Sequence, residues 1–296
     1  MPLAEAAFGF INAAKPAGIT STAFGSRVRR VLGRVPLGHW GTLDPDASGV
    51  LVLAVGHATR LLPLLGEGRK SYEFDVVLGS ATDTGDAAGA VTDSGTPPAD
   101  WPEKLDAVTE SLAGRLSQVP PMYSAVKVDG QPLYKRARRG EEVARSAREV
   151  TIFALRVLQL GDARARLALE CSAGTYVRTL CEEIGRRLGV PAHMEALVRT
   201  AAGPFKLEQA CAEVALLADP RSYVIDPLAV LTQPRVALRA VDVDRFSHGN
   251  SVAVEAGEAI GEVLVTFGGR MVGTGLSTPS VEESLLQPTR VFAQPG

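Results

Sequence analysis

The chain has 296 residues, of which 46% are hydrophobic and 22% are charged, and its formal net charge at pH 7 is -2. This composition excludes a largely disordered protein and provides enough residues for a large hydrophobic core. The charge balance excludes a protein that binds nucleic acid through overall basicity. Two basic clusters depart from that balance: Arg27, Arg29, Arg30 and Arg34, and Lys135, Arg136, Arg138 and Arg139.

The N-terminal segment has neither the basic start nor the long apolar stretch of a signal peptide. No apolar run reaches the roughly 18 residues of a membrane span, so we expect a cytoplasmic protein. Phe8–Ala13 is predicted as a strand, and the KPAG sequence after it as a turn. Thr20 and the two residues after it offer an N-cap for a helix that continues to about Leu32.

The middle of the chain is predicted to alternate between strands and helices. Val50–Val55 indicates a buried strand, and the alternation over Ser71–Leu78 indicates another. The small, acidic and glycine-rich sequence GSATDTGDAAG then predicts a loop. We expect a helix over Glu103–Leu116, followed by two paired strands, Val150–Leu160 and Ala165–Leu169.

A second amphipathic helix is predicted to begin at Thr175, which serves as its cap. Its apolar stripe comprises Val177, Leu180, Cys181, Ile184 and Leu188. Arg178 lies in the first turn, where a cation opposes the helix dipole. We therefore expect a carboxylate partner close to Arg178.

From Pro227 onward the pattern changes to short apolar runs separated by glycines, which is typical of a small β domain. The sequence thus predicts a larger domain of residues 1–226 and a β-rich domain of residues 227–296. The cysteines at positions 171, 181 and 211 match neither a disulfide framework nor a zinc site, and we expect buried, reduced thiols.

The segment Gly38–Gly49, GHWGTLDPDASG, concentrates a histidine, a tryptophan and two aspartates between glycines. Loops on a rigid support often carry chemistry, although an aspartate before a proline, as at Asp44, is also an ordinary turn residue. Asp46 is too close in sequence to act as the second carboxylate of a glycosidase. No nucleotide-binding loop, serine triad or zinc pattern is present, so we expect chemistry without a metal or cofactor.

Five motifs resemble, in order and spacing, the tRNA pseudouridine synthases of the TruB family. They are GHWGTLDPDASGVLVLAVGHATR, KSYEF, QVPPMYSAVKVDGQPLYKRARRG, CSAGTYVRTLCEEIG and AHMEALVRT, and KPAGITS precedes them. The resemblance covers about residues 8 to 205. It implies an α+β catalytic domain, 1–226, with a central mixed, largely antiparallel sheet flanked by helices. A small PUA-like, RNA-binding β domain, 227–296, is expected to follow.

The resemblance also implies a reaction and its principal residues. Uridine 55 in the T loop of tRNA would be isomerised to pseudouridine, without cofactor, by detaching the base at N1 and rejoining it through C5. Asp44 matches the essential aspartate, which acts either as a nucleophile or by abstracting a sugar proton. Arg178 matches the arginine that pairs with it, and Tyr72 the tyrosine that stacks on the target base.

Three further residues are implied to contact the RNA. His39 matches the residue that fills the space left when the base is turned out of the T loop, and Tyr176 and Leu197 match positions of the uracil pocket. Trp40 departs from the family, which usually has threonine there; it would either stack beside the T loop or pack against the support of the catalytic loop.

Two other functions remain open at the level of sequence. The basic clusters are compatible with a chaperone that folds tRNA by binding it, and a related synthase could modify a uridine in another RNA. A tRNA T arm is the expected partner in the leading interpretation, with no membrane association. Nothing in the sequence requires more than a monomer.

Overall fold

The computed structural model describes residues 8–33, 35–124, 126–128, 130–137, 139–141, 143–255, 260–279 and 283–292. Arg34 and Arg138, which belong to the two predicted basic clusters, lie outside the described residues. Strands and helices alternate along most of the chain, as the sequence patterns predict.

The strands of the first two thirds of the chain are β1 (Gly9–Lys15), β2 (Leu37–Trp40), β3 (Ser48–Val55), β4 (Lys70–Leu78), β5 (Ser80–Thr82), β6 (Val91–Ser94), β7 (Gly114–Gln118), β8 (Lys127–Val128), β9 (Gln131–Pro132), β10 (Arg148–Leu160), β11 (Arg164–Cys171) and β12 (Ala192–Ala202). Those that follow are β13 (Phe205–Lys206), β14 (Cys211–Ala212), β15 (Arg235–Ala237), β16 (Val252–Glu255), β17 (Gly261–Phe267), β18 (Arg270–Thr278) and β19 (Glu283–Val291). The α-helices are α1 (Ser21–Leu32), α2 (Trp101–Ser111), α3 (Leu133–Ala137), α4 (Val177–Leu188), α5 (Glu213–Ala218) and α6 (Ala240–Ser247), and the longest 3-10 helix is Gly56–Leu65.

One ten-stranded sheet organises the larger part of the chain. Its main order is β14-β1-β3-β12-β4-β11-β10-β7, while β2 pairs with β3 and β13 with β12. The pairs β1–β14 and β3–β12 are parallel, and the other pairs of this sheet are antiparallel. The predicted α+β fold with a mixed, largely antiparallel sheet is therefore confirmed.

Helices cover this sheet because their apolar stripes are buried against it. Helix α4 buries Leu180, Cys181 and Ile184 in one hydrophobic cluster with Phe74 of β4 and Leu167 of β11. Each fully buried large side chain of this kind contributes about 1.5–3 kcal/mol. This packing fixes the start of α4 over the middle of the sheet.

Local signals in the sequence succeeded at one helix start and failed at another. Thr20 caps α1, and its side chain accepts a hydrogen bond from Ala23 N, as predicted. The predicted cap at Thr175 is wrong, because Tyr176 occupies the N-cap and makes no side-chain cap bond. Thr175 instead donates its hydroxyl hydrogen to Ser172 O at 2.9 Å.

Two other boundaries differ from expectation for identifiable reasons. The helix predicted to continue to Leu116 ends at Ser111, and Gly114, with φ 98°, begins strand β7, which pairs with β10. The predicted loop GSATDTGDAAG begins with strand β5, which pairs with β6. In the first case pairing with the sequence-distant β10 outweighs the local preference, whereas in the second case β5 pairs with β6, which follows it closely in the sequence.

A second sheet, of order β15-β17-β18-β19-β16, occupies the C-terminal part of the chain. It surrounds Phe246 of α6, which is fully buried. Leu264 and Met271 of this sheet share a hydrophobic cluster with Trp40 and Val52 of the larger sheet. The expected β-rich segment is confirmed, and the domain boundary at residue 227 stays a prediction.

Candidate active site

The loop between β2 and β3 carries Asp44 and is anchored to the start of the chain. The Ser21 hydroxyl, at the first turn of α1, donates to Leu43 O at 3.0 Å and accepts from Leu43 N at 2.9 Å. The buried ammonium of Lys15 donates to Pro45 O at 3.1 Å, and Gly18 N donates to the same carbonyl at 2.9 Å. Ser21 therefore holds the loop on the N-terminal side of Asp44, and the KPAG turn holds it on the C-terminal side.

Gly49 allows this loop to lie against the neighbouring strand. Its φ is 105°, and a Cβ atom there would stand 2.2 Å from the carbonyl oxygen of Arg199 in β12. Only glycine combines that dihedral with so close a backbone approach. The parallel pairing of β3 with β12 begins at this contact, through Val198–Ser48 and Arg199–Gly49.

Arg178, in the first turn of α4, reaches the Asp44 carboxylate. Its Nη2 lies 3.1 Å from Asp44 Oδ2, and its side chain is 5% exposed, whereas that of Asp44 is 38% exposed. The guanidinium also donates to Thr84 O at 2.9 Å and to Tyr123 O at 2.8 Å. These bonds fix its plane, so the ion pair holds the carboxylate in one direction.

Asp86 is a third charged residue at this site, and the sequence patterns did not single it out. Its Oδ2 lies 3.7 Å from Arg178 Nη1, and its Oδ1 accepts from the Thr84 hydroxyl at 2.6 Å. Burial raises the pKa of Asp44, Arg178 opposes that rise, and the charge of Asp86 adds to it. The pKa of the Asp44 carboxyl thus lies above its usual range despite the arginine.

A cavity of about 270 Å³ opens beside this group. It is lined by Asp44, Asp46, Ala47, Asp86, Ala87, Ala88, Met194, Glu195, Ala196 and Leu197. The structure thus brings Leu197 of β12 to the same cavity as Asp44, so the lining combines acidic and apolar side chains. Such a lining suits a ligand that has both polar groups and an apolar face.

Tyr72 lies behind the cavity rather than among its lining residues. It belongs to the hydrophobic cluster that also contains Leu43, Ala47 and Leu197, and it is 8% exposed. Burial raises the pKa of its hydroxyl, while the neighbouring Arg199 lowers it. Its ring is therefore close to the Asp44 loop and neutral at pH 7.

Neither His39 nor Tyr176 is among the residues that line the cavity. His39, in β2, is half-buried opposite Leu53, and burial lowers its pKa. Tyr176 is held through its backbone: its N–H donates to Gln118 Oε1 at 3.0 Å, and its carbonyl accepts from Gln118 Nε2 at 3.3 Å. Gln118 replaces the cap that Thr175 was predicted to provide.

Arg199 is a second buried arginine that was not singled out in the sequence. Its Nε donates to Val50 O at 2.7 Å and its Nη2 to Gly41 O at 2.9 Å, so it joins β12 to both ends of the Asp44 loop. Beside it, the Lys70 ammonium lies 4.1 Å from the centre of the Trp40 ring. Burial, followed by the charge of Arg199, lowers the pKa of Lys70 to about 8.

The role of Trp40 is decided by these contacts. Its ring packs against Gly68 and Gly203, where a Cβ atom would stand 2.4 Å and 2.9 Å from it, and its indole N–H donates to Gly66 O at 3.2 Å. Trp40 is 9% exposed. It packs against the support of the Asp44 loop, and a stacking surface for RNA is not available at this side chain.

Comparison with known proteins places this site in a family. The model of the TruB family pseudouridylate synthase N-terminal domain matches residues 29–177. The model of the tRNA pseudouridylate synthase B C-terminal domain matches residues 178–223. The chain belongs to the TruB family. The first matched segment contains Asp44, Tyr72 and His39, and the second begins at Arg178.

Relatives of this TruB-family chain are similar over most of their length. It is 37% identical to the tRNA pseudouridine synthase B of Heliobacterium modesticaldum, over 97% of this chain and 96% of the relative. It is 42% identical to that of Aromatoleum aromaticum, over 88% of this chain and 86% of the relative.

Solved structures share the architecture of the chain. The crystal structure of a Cbf5-Nop10-Gar1 complex matches with a TM-score of 0.71 and 28% identity, covering 97% of this chain and 85% of that one. An H/ACA RNP bound to a substrate RNA containing 2'-deoxyuridine matches with a TM-score of 0.71 and 25% identity, covering 98% and 86%. Both matches extend through the second sheet, because they cover nearly the whole chain.

The described part of this TruB-family chain has neither a metal-binding cluster nor a membrane-spanning helix. Among the described residues, no group of three or more histidine, cysteine, aspartate or glutamate side chains is arranged to hold a metal ion. Cys171, Cys181 and Cys211 are buried and free, as expected. No helix in the described part of the chain is long and apolar enough to cross a membrane.

Proposed function

We propose that this chain converts uridine 55 in the T loop of tRNA to pseudouridine. The observation that carries the proposal is the Asp44 carboxylate, which is held by Arg178 at 3.1 Å and faces a cavity closed on another side by Leu197. Membership of the TruB family and relatives named tRNA pseudouridine synthase B support it.

The reaction is an isomerisation, so its atoms balance without a second substrate. The bond between N1 and C1' of the nucleotide breaks, the detached uracil turns, and a bond forms between C5 and C1'. The proton on C5 is lost, and N1 ends with a proton. An ionised Asp44 starts this sequence either as a nucleophile or by taking a sugar proton.

Arg178 favours the ionised form of Asp44 and keeps it aimed at the cavity. Without the guanidinium, burial and the nearby Asp86 charge would both favour the protonated carboxyl. A protonated carboxyl can neither attack nor accept a proton. The ion pair therefore keeps the catalytic carboxylate reactive at neutral pH in a partly dehydrated place.

The cavity is large enough for one base, so the target uridine must leave the T loop to enter it. We propose that Leu197 and Tyr72 contact the uracil, with Tyr176 at the edge of the pocket. His39, on strand β2 before the Asp44 loop, is proposed to occupy the space in the T loop of the tRNA from which the uridine has turned out. Entry of the base would bring Tyr72 from behind the cavity into ring contact with it.

RNA contacts outside the cavity are proposed for exposed basic residues. Arg29 and Arg30 project from the last turn of α1, whereas Arg27 is engaged by Glu213 at 2.7 Å. We further propose that residues 227–296 form a PUA-like RNA-binding domain beside the catalytic domain, 1–226. Because the substrate is tRNA, the chain is proposed to act in the cytoplasm. It is also proposed to act as a monomer.

A mapped modification assay tests the proposal. The purified chain is incubated with an unmodified tRNA transcript, and pseudouridine is located at single-nucleotide level. The expected result is one pseudouridine, at position 55, and the same product on an isolated T-arm stem-loop. No pseudouridine in either RNA would overturn the function, and pseudouridine only at another position would overturn the site assignment.

The chaperone alternative predicts a different behaviour. It requires that an Asp44→Asn protein accelerate the refolding of unmodified tRNA as well as the wild type does. Binding would weaken steeply with salt under either hypothesis, so refolding kinetics, and not binding, separate the two. The ion-paired carboxylate in a base-sized cavity favours the catalytic function.

A further inference from the structure

Strand β12 is interrupted where it forms the wall of the cavity. Glu195 pairs with Asp75 and Val198 pairs with Glu73, so two residues of β12 oppose one of β4. Ala196, the first of the two, has φ 51°, and it is the one described residue other than glycine with a positive φ. Such a bulge redirects the following side chain, which here is Leu197 at the cavity.

A left-handed conformation at alanine is unfavourable and persists only where the surroundings impose it. Leu197 is 8% exposed and belongs to the core cluster beneath the sheet, so it holds the bulge from the inner side. An outer restraint is also needed, because Ala196 itself is exposed. The charged side chains on the outer face of the sheet supply one.

Those side chains form a network across three strands. Arg164 of β11 places Nη2 at 2.7 Å from Glu195 Oε2 and Nη1 at 3.5 Å from Asp75 Oδ2. Arg166 places Nη2 at 2.9 Å from Glu73 Oε2 and Nη1 at 3.6 Å from Asp75 Oδ1. The network thus binds residues on both sides of the bulge. Before the bulge it binds Glu195 and its strand partner Asp75, and after the bulge it binds Glu73, the strand partner of Val198.

We propose that Arg164 is a positioning residue for the uracil pocket. By holding Glu195, it fixes the residue that precedes the strained Ala196 and thereby fixes the direction of Leu197. The inference rests on the proposed function, since Leu197 matters only if the cavity takes a base. Arg164 does not touch the cavity and acts through the strand.

Kinetics of Arg164→Met on a T-arm stem-loop test the proposal. Small displacements of a positioning group reduce reaction rates considerably, and we expect kcat/KM to fall about fivefold to tenfold through a higher KM. Exposed ion pairs add little to stability, so the melting temperature should change little. Arg164→Lys retains the positive charge but has one donor nitrogen in place of the two that reach Glu195 and Asp75, and it should recover about half of the lost activity on a logarithmic scale.

The matched control is Arg69→Met, which removes an exposed pair between the residue before β4 and strand β11, Arg69–Glu170 at 2.9 Å, together with a contact to the Phe153 ring, away from the bulge. Its kcat/KM should stay within about twofold of the wild type. An Arg164→Met protein as active as this control would overturn the inference.

A double-mutant cycle distinguishes positioning from general damage. If Arg164 acts through Leu197, then Arg164→Met in a Leu197→Ala background should cost less than about twofold further, because coupled residues are not additive. If Arg164→Met lowers kcat/KM in the Leu197→Ala protein as much as it does in the wild type, the inference is contradicted. A wild-type protein without activity would instead contradict the proposed function, so the two failures are separable.

Discussion

Two buried arginines contact the Asp44 loop, and they differ in what they bind. Arg178, 4% exposed, faces the carboxylates of Asp44 and Asp86. Arg199, 1% exposed, donates to backbone carbonyls, among them Val50 O and Gly41 O. Arg178 therefore influences the ionisation of Asp44, and Arg199 fixes the backbone conformation of the loop.

The difference also explains the electrostatics of the two sides. On the Arg178 side a cation opposes the rise that burial causes in the pKa of Asp44. On the Arg199 side the hydrogen bonds of the guanidinium described by the structure go to backbone carbonyls, and burial, followed by the charge of Arg199, lowers the pKa of Lys70 to about 8. Substitutions on the first side should thus change catalysis, and substitutions on the second should change stability.

The largest effect is expected for Arg178→Ala. Loss of the guanidinium removes both the orientation of Asp44 and the interaction that lowers its pKa, and we expect kcat/KM to fall about 100- to 1000-fold. The acid limb of the pH–activity profile should move to higher pH, because burial and Asp86 then act on Asp44 unopposed. Steady-state kinetics from pH 5 to pH 9 on a T-arm stem-loop would measure both.

A control for that prediction is available on the same helix. Arg187→Ala removes a cation of α4 that pairs with Glu183 at the surface, at 2.7 Å. Its activity and pH profile should match the wild type. An unchanged acid limb in Arg178→Ala would contradict the assigned role of the ion pair.

The next effect, on stability, is expected for Gly49→Ala. The added Cβ would clash with Arg199 O at 2.2 Å in a backbone conformation with φ 105°, and we expect a loss of about 3 kcal/mol or more. The melting temperature should fall by about 6 to 12 °C. Gly18→Ala is the matched control, because Gly18 has φ 82° but open space around its Cβ position; an equal loss in both would show that the close approach is unimportant.

A smaller loss is expected for Arg199→Lys. Lysine retains the charge but cannot reproduce the planar fork that reaches Val50 O and Gly41 O, and we expect about 2 kcal/mol of destabilisation. Below the melting transition, kcat/KM should fall less than about tenfold. Urea unfolding and kinetics on the same samples check the prediction; a stable but inactive protein would contradict the division between the two arginines.

The smallest effect, and one of opposite sign, is expected for Lys70→Met. Because the folded-state pKa of Lys70 is about 8, below 10.5, its charge costs stability at pH 7, and this cost disappears as the pH rises from about 8 to about 10.5. The substitution should raise the free energy of unfolding by about 1 kcal/mol at pH 7, because the gain from removing a buried charge exceeds the loss of the contact between Lys70 and the Trp40 ring. Thermal unfolding at pH 7 and pH 10 should show the gain shrinking; a gain that grows with pH would be inconsistent with a buried ammonium.

The parts of the fold that follow local rules were predictable. The Thr20 cap and the strand pair β10–β11 depend on short-range chemistry, and the unfavourable Arg178 at a helix start signalled a carboxylate partner. The family resemblance supplied which carboxylate that was. The cap at Tyr176 escaped prediction because Gln118, far away in sequence, provides its hydrogen bonds.

The missed residues share one physical property: their partners are created by the tertiary fold. Asp86 sits in an acidic, glycine-rich loop that resembles a solvated turn, and only the pairing of that loop with β12 brings it to Arg178. Arg199 bonds to carbonyl groups, which carry no side-chain signature. The positive φ of Ala196 has no sequence signal at all, because alanine gives no warning of that conformation.

The most direct test of the central claim compares two aspartates of one loop. Asp44 and Asp46 both line the cavity, but of these two aspartates only Asp44 forms an ion pair with Arg178 in the described part of the chain. With a T-arm stem-loop, Asp44→Asn should lose at least about 1000-fold in pseudouridine formation while RNA affinity stays within about tenfold, and Asp46→Asn should remain within about fivefold of the wild type. Normal turnover by Asp44→Asn would contradict the assignment of the catalytic carboxylate.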